Sequence, residues 1–308
     1  MDKVAVLMST YNGEKYLNEQ IDSILAQDGV DVILYIRDDG SSDRTAEIIK
    51  DYCNRYNNIS FTQGENLGVG NSFMQLVYDS GDEHDYYAFA DQDDVWDVDK
   101  IKKAIELIGD SGGPMLYGSN QELIDKNKNK LGLRYSRKYS MPIQLESIFQ
   151  TNQISGCTFV FNRELKILLS EEKRRPSKGL LKNRIHDVWV ANVAALYNGI
   201  VYDDTPHIKY RQHESNVIGA YTYGVIFSIK DKLRKFRNPL YRNGRSLISN
   251  ELCRTFPEKT VEHPLIYCCR DGLTLDARKY LLRNIGKLKE YTNETYLGLV
   301  LKICIGIY

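Results

Sequence analysis

Apolar runs alternate with amphipathic stretches through the first 120 residues of the chain. Val4-Ala5-Val6-Leu7-Met8 is continuously apolar, the pattern of a strand buried on both faces. Leu17, Ile21, Ile24 and Leu25 then recur at i, i+4, i+7 and i+8, which is one face of a helix. The same alternation predicts strands over Val32 to Ile36, Ile59 to Thr62, Tyr86 to Ala90 and Met115 to Gly118. Between them it predicts helices over Thr45 to Tyr56, Asn71 to Tyr78 and Asp99 to Ile108. Strands alternating with helices through short loops build right-handed βαβ units, so the fold class is α/β with a mostly parallel sheet flanked by helices.

Beyond residue 120 the pattern breaks. Asp125 to Lys130 is polar and reads as a loop, and a strand-like run returns at Gly156 to Phe161. A short helix around Leu165 leads to the basic loop Lys173-Arg174-Arg175-Pro176, a helix is predicted from Val188 to Tyr197, and Ile200 to Arg211 reads as extended. After Tyr221 the character changes again: Ile229 to Arg245 carries seven Lys/Arg against one acidic residue, interleaved with Leu233, Phe236, Leu240 and Tyr241. These shifts divide the chain into residues 1–220, with halves 1–120 and 121–220, and a helical C-terminal appendage over 221–308. The basic stretch Lys230 to Arg245 suits an amphipathic helix on an anionic membrane surface, or a helix packed on the first domain or on a second copy in a homodimer. Pro239 and Gly244 interrupt it.

Composition narrows the field. Forty-one basic residues balance 41 acidic ones, so no nucleic-acid partner is expected. The six cysteines have no CxxC pair or other zinc-ligand spacing. Met1 leads directly into a strand-like run with no signal-peptide layout, and no apolar run reaches the roughly 18–20 residues that span a bilayer. A cytoplasmic protein with reduced thiols is expected.

Three loops lie where an open α/β sheet places its ligands, past the carboxyl ends of strands. They are Ser9-Thr10-Tyr11-Asn12-Gly13, Arg37-Asp38-Asp39-Gly40-Ser41-Ser42-Asp43 and Asp91-Gln92-Asp93-Asp94-Val95-Trp96. Singly, Ser42, Asp43 or Asp94 could be helix caps. Together, carboxylates at two neighbouring strand ends repel unless a cation or hydrogen-bond donors lie between them. Hard oxygen ligands fit Mg²⁺ or Mn²⁺, which a diphosphate would chelate onward. An isolated Asp suits a base N–H or a ribose hydroxyl. The chain lacks a P-loop, a GxGxxG after the first strand, and the Gly and distal Glu of a calcium loop.

Over residues 3–219 these segments resemble the inverting family 2 glycosyltransferases of GT-A fold. Thr10-Tyr11-Asn12, Asp38-Asp39-Gly40-Ser41 and the "DxD" Asp91-Gln92-Asp93 stand in the family's order and spacing. Asn66-Leu67-Gly68, Phe89 to Trp96, His186 to Trp189 and Tyr210 to Val217 resemble bacterial rhamnosyltransferases that build surface polysaccharides. The resemblance implies a nucleotide-sugar donor, favoured as dTDP-L-rhamnose with a UDP-hexose as alternative, and a saccharide acceptor that is lipid-linked. The site would then lie near the inner face of the cytoplasmic membrane. The resemblance also implies that Asp39 contacts the base, that Asp91 faces ribose or diphosphate, and that Asp93 binds metal. Thr10, Tyr11, Asn12, Asp38, Asn66 and Gln92 would complete the donor site.

Inverting transfer needs one base for the acceptor hydroxyl. Asp187 matches the family's base position, with His186 as alternative where the family usually carries an acid; a helix N-cap is the plainer role for the pair. His213 resembles a histidine directed at metal or diphosphate, or is a surface loop residue. Arg211 would grip phosphate or form a structural ion pair. Trp96 and Trp189 would offer stacking faces to the acceptor, or fill the core. The QxxRW motif of processive relatives is missing, which implies one sugar per encounter. A sugar-nucleotide-binding assembly protein without activity is the reading of another class.

Overall fold

A computed structural model describes residues 1–135, 143–152, 154–183, 186–213, 244–306 and 308. Among these, the alternation of strand and helix follows the sequence pattern closely. The run is β1 (Asp2–Thr10), α1 (Leu17–Leu25), β2 (Val30–Asp38), α2 (Thr45–Arg55), β3 (Ile59–Gln63), α3 (Val69–Asp79), β4 (Tyr86–Ala90), β5 (Val95–Trp96), α4 (Lys100–Ile108) and β6 (Leu116–Ser119). There follow β7 (Glu122–Ile124), β8 (Lys130–Leu133), α5 (Leu145–Gln150), β9 (Val160–Asn162), α6 (Arg163–Ser170), α7 (Lys178–Asn183), α8 (His186–Leu196), β10 (Ile200–Asp203) and β11 (Ile208–Arg211).

Seven strands form the main sheet in the order β10-β6-β9-β4-β1-β2-β3. All neighbours are parallel except β9, which runs antiparallel to both β4 and β6. This corrects the extended run expected over Gly156 to Phe161. Gly156–Thr158 is a tight turn, closed by the Thr158 amide and hydroxyl donating to the Ser155 carbonyl at 3.0 and 2.7 Å, and only Val160–Asn162 pairs as a strand. The polar stretch Asp125 to Lys130 is the turn of a hairpin rather than a free loop. Asp125 accepts from the Asn127 and Asn129 amides at 2.8 Å each, and β7 and β8 pair on either side. A second sheet, β5-β11-β7-β8, then forms beside the loop that follows β4.

The central strands alternate their side chains between two cores. Ala5, Leu7, Tyr87 and Phe89 face one; Val4, Val6, Met8, Ala88 and Ala90 face the other. Each buried aliphatic or phenyl side chain contributes about 1.5–3 kcal/mol relative to exposure, which fixes the register of β1 and β4 and hence the height at which their loops emerge.

The C-terminal region is helical: α9 (Gly244–Thr255), α10 (Pro257–Thr260), α11 (Pro264–Cys268), α12 (Leu275–Arg283), α13 (Ile285–Glu290) and α14 (Tyr296–Ile305). Its Leu252, Phe256, Ile266, Leu281, Leu299 and Ile303 belong to the same apolar cluster as Leu7 and Phe89. Except for Gly244 and Arg245, the basic stretch from Lys230 to Arg245 lies outside the described residues. No helix among the described residues is long and apolar enough to cross a membrane.

Candidate active site

β1 lies between β4 and β2 in the sheet, so its carboxyl end and the loops after β2 and β4 meet in one crevice. The β1 loop is held from both sides. The Tyr11 amide donates to Gln92 Oε1 at 2.8 Å, and Gln92 Nε2 returns a bond to the Tyr11 carbonyl at 3.1 Å. On the other side the Asn12 amide donates to Ser41 Oγ, and Asn12 Oδ1 accepts from the Ser42 amide, both at 2.8 Å. Asn12 adopts the left-handed conformation (φ 48°) that asparagine tolerates better than most residues. The Gln92 amide packs so closely that a Cβ at position 13 would lie 2.3 Å from its Oε1 and would displace the Gln92 side chain from the Tyr11 backbone.

The carboxylates after β2 are supplied with donors. Asp38 accepts from Thr10 Oγ1 (3.1 Å), the Ser41 amide (3.0 Å), the Ser41 hydroxyl and Gln63 Nε2 (3.1 Å). Four donors fill the roughly four lone-pair sites of a carboxylate. Asp38 is therefore a buried organiser of the turn, which corrects its expected place at the donor. Asp39 pairs with the Arg37 guanidinium and accepts from the Leu67 and Gly68 amides at 2.9 Å each. That count of three leaves Asp39 one acceptor position on Oδ2. Asn66 is exposed beside it, and its Oδ1 accepts from the Gly68 amide at 3.1 Å.

The carboxylates after β4 lack such donors. Asp91 accepts no hydrogen bond among the described residues; burial, with the Asp93 and Asp187 carboxylates nearby, raises its carboxyl to about 7. Asp93 meets His213, Nε2 to Oδ2 at 2.7 Å, so two side chains 120 positions apart converge. Asp94 is fully buried. Its Oδ1 accepts the Arg211 amide at 3.0 Å, its Oδ2 has no donor among the described residues, and its carboxyl is pushed well up by burial and by Asp93 and Asp91.

Asp187 stands in the first turn of α8, its Oδ1 accepting the amide of Val188 at 2.6 Å. Burial raises its carboxyl to about 6, against the opposing pull of backbone N–H groups and of Arg134. His186 beside it is a different case. Its ring stacks on Phe73 (4.0 Å between centroids) and meets Phe89 edge-on (4.9 Å). Burial depresses the imidazole to about 3, and neither ring nitrogen has a partner among the described residues. An imidazole sealed among aromatic rings cannot reach an acceptor hydroxyl, so the structure removes His186 as the alternative base.

Three further expectations change. Arg211 is 1% exposed, with Nη2 on Glu19 (2.6 Å), Nε on the Asp93 carbonyl (2.8 Å) and its guanidinium over the Tyr16 ring (4.4 Å). It is a structural cation that fixes the Asp93 backbone, not a phosphate grip. Trp189 is 1% exposed and packs on Phe256, while Trp96 is 3% exposed beneath the Lys100 ammonium at 3.4 Å. Both indoles fill the core and offer no face to a sugar.

Sequence reasoning missed Arg134, Gln121 and Cys157. Arg134 Nη1 donates to Gln121 Oε1 at 2.9 Å, and Gln121 Nε2 lies 3.4 Å from Cys157 Sγ. The Cys157 thiol in turn comes within 4.8 Å of carboxylate oxygens of Asp91 and Asp94. Arg134 also weighs on both Asp91 and Asp187, lowering each carboxyl against the effect of burial. Its sequence context, a Lys/Leu/Gly hairpin arm, gives no sign of this.

A clustered, donor-poor set of carboxylates fits a divalent cation: Asp91 and Asp94 offer hard oxygens, Asp94 Oδ2 has no donor among the described residues, and Asp93 faces the His213 ring.

The family model of Glycosyl transferase family 2 matches residues 5–167, so the chain belongs to that family. It is 32% identical over 260 residues to the dTDP-rhamnosyl transferase RfbG of Shigella flexneri, spanning 80% of this chain and 84% of that one. Solved structures show the same fold. TarS of S. aureus, residues 1–349 in complex with UDP-GlcNAc, superposes with a TM-score of 0.55 at 19% identity, covering 97% of this chain and 84% of that fragment. The mannosyltransferase PcManGT from Pyrobaculum calidifontis, in complex with GDP-Man and Mn²⁺, gives 0.52 at 15% identity, covering 98% and 73%. The GT-A-like α/β fold, with a mixed sheet and a helical C-terminal region, is thereby established.

Proposed function

We propose that this family 2 glycosyltransferase moves L-rhamnose from dTDP-L-rhamnose to a hydroxyl of a lipid-linked saccharide, with inversion, in the synthesis of a bacterial surface polysaccharide. The carrying observation is the donor-poor acids past β4, where Asp94 Oδ2 has no donor among the described residues, Asp93 meets His213, and Asp91 feels the charge of Asp93 and of Asp187, whose carboxyl is raised to about 6. The rhamnosyl donor is supported by the similarity to RfbG along most of both chains. Residues 1–120 hold the donor and residues 121–220 face the acceptor.

Asp187 takes the proton of the acceptor hydroxyl as it attacks the anomeric carbon. A carboxylate with a raised pKa is a stronger base than an ordinary one and is still ionised at neutral pH. Asp39 accepts from the N–H of the base through its remaining lone pair, and Gln92 and Asn12 hold the β1 loop against the nucleotide. Asp91, Asp93 and His213 hold Mg²⁺ or Mn²⁺, with Asp94 behind them. When bound, that cation supplies charge neutralisation to the diphosphate. Arg134 balances the acids when the acceptor excludes water. The enzyme works at the cytoplasmic face of the membrane.

The test is nucleotide release from dTDP-rhamnose, UDP-glucose, UDP-galactose and UDP-GlcNAc with Mg²⁺ or Mn²⁺, repeated with EDTA. Metal-dependent turnover of dTDP-rhamnose alone is expected. Preference for a UDP-sugar would overturn the rhamnosyl assignment, and neither turnover nor binding of any donor would overturn the enzyme reading.

A further inference from the structure

The last helix of the chain is apolar on every side yet covered on one side only. In α14, Leu299 and Ile303 are fully buried against the core, while Leu297, Leu301 and Ile305, spaced at i, i+4 and i+8, are each more than half exposed. Tyr296 and Cys304 are exposed beside them. The one charged residue of the helix, Lys302, pairs with Glu294. A helix apolar all round is normally buried all round, and the open stripe has no cover among the described residues.

The stripe continues onto a neighbouring helix. Arg278 of α12 donates through Nη1 to the Cys304 carbonyl at 2.7 Å, which ties the two helices together near the end of α14. On α12, Leu275 and Leu282 are exposed at i and i+7, with exposed Lys279 on the same face. Exposed Arg283, Lys287 and Lys289 follow on α12 and α13. From Leu275 to Ile305 six basic residues stand against three acidic ones, in a chain whose overall charge is zero.

We infer that this face of α12 and α14 docks the enzyme on an anionic lipid bilayer. Apolar side chains with a basic rim match the acyl boundary and the headgroups of such a surface, and Tyr296 suits the boundary between them. A second copy of the chain is the poorer match: a two-fold pairing through this face would set the basic rims of the two copies against each other. The docking gives the lipid-linked acceptor of the proposed reaction a route to the crevice and in that sense rests on it, but binding itself needs neither donor nor acceptor.

The experiment is co-sedimentation of the full chain with phosphatidylglycerol-containing vesicles and with pure phosphatidylcholine vesicles, over a range of salt. Binding to the anionic vesicles that weakens with salt is expected. Leu297→Ser with Leu301→Ser should lower the partition coefficient by at least about tenfold, and Lys279→Ala by about fivefold. Both variants should keep the near-ultraviolet circular dichroism of the parent and its donor hydrolysis, which separates this test from that of the transfer reaction. Equal partition of parent and variants, or no partition of the parent, would overturn the proposal. So would dimerisation in the ultracentrifuge that the Leu297→Ser, Leu301→Ser variant abolishes.

Discussion

Two pairs of neighbouring aspartates stand at the ends of adjacent strands, and their surroundings are opposite. At the end of β2, Asp38 and Asp39 share seven hydrogen-bond or ion-pair donors, from Thr10, Ser41 (twice), Gln63, Arg37, Leu67 and Gly68. Past β4, Asp91 and Asp94 share one among the described residues, the Arg211 amide. Hydrogen bonds to an ionised carboxylate stabilise the charge, whereas burial without them drives the carboxyl towards its neutral form. In the first pair Asp38 is thus a finished piece of scaffold, and Asp39 is held in place with one acceptor position left open. The second stores unfavourable charge that folding alone does not relieve, the condition under which a divalent cation binds.

Breaking the chemistry gives the largest effect. Asp187→Asn keeps the shape of the side chain but removes the base, and kcat is expected to fall by about 10²–10⁴, with KM for the donor changed little. Steady-state kinetics with saturating Mn²⁺ check this. In the parent, kcat/KM should rise with pH up to about 6 and level above it, because Asp187 acts when deprotonated. A bound cation lowers that midpoint.

Breaking the satisfied pair should cost stability. Asp38→Ala leaves the Ser41 amide and Gln63 without their acceptor, and a loss of about 2–3 kcal/mol is expected, read from denaturant unfolding in EDTA. The neighbouring pair should respond in the opposite direction. The folded-state pKa of Asp91 is raised from 3.8 to about 7, so the native state holds the proton more tightly than the unfolded chain. Its stability is greatest in acid and falls as pH rises between those two values. At about pH 8 without cation, Asp91→Asn should therefore stabilise the fold by about 2 kcal/mol once its partial exposure is discounted. That corresponds to a few degrees in Tm. Excess Mn²⁺ should abolish the advantage.

The contrast between the pairs was invisible in the sequence, where both read as clustered acids after a strand. The strands and helices of the first 120 residues were legible because their periodicity is strong and their cores lie on both faces of β1 and β4. The turn at Gly156 and the strand β7 were not, because each depends on partners far along the chain: β7 pairs with β11, and Gly156 lies against His186 and Asp187, where a Cβ would come within 2.8 Å of the imidazole. The convergence of Asp93 with His213 followed from the resemblance to the family. The burial of His186, Trp96, Trp189 and Arg211 did not, since whether such residues face a ligand or the core is decided by the helix or strand that packs over them. Arg134 had no local mark at all.

The central claim is that the donor-poor acids past β4, and not the donor-rich pair past β2, hold the cation. Electron paramagnetic resonance of Mn²⁺ titrated into the protein tests it directly. One bound Mn²⁺ is expected in the parent and in Asp38→Asn, with affinity lowered by at least about tenfold in Asp93→Asn and in Asp91→Asn. Unchanged affinity in the Asp91 and Asp93 variants, or its loss in Asp38→Asn from a protein that remains folded, would contradict the account.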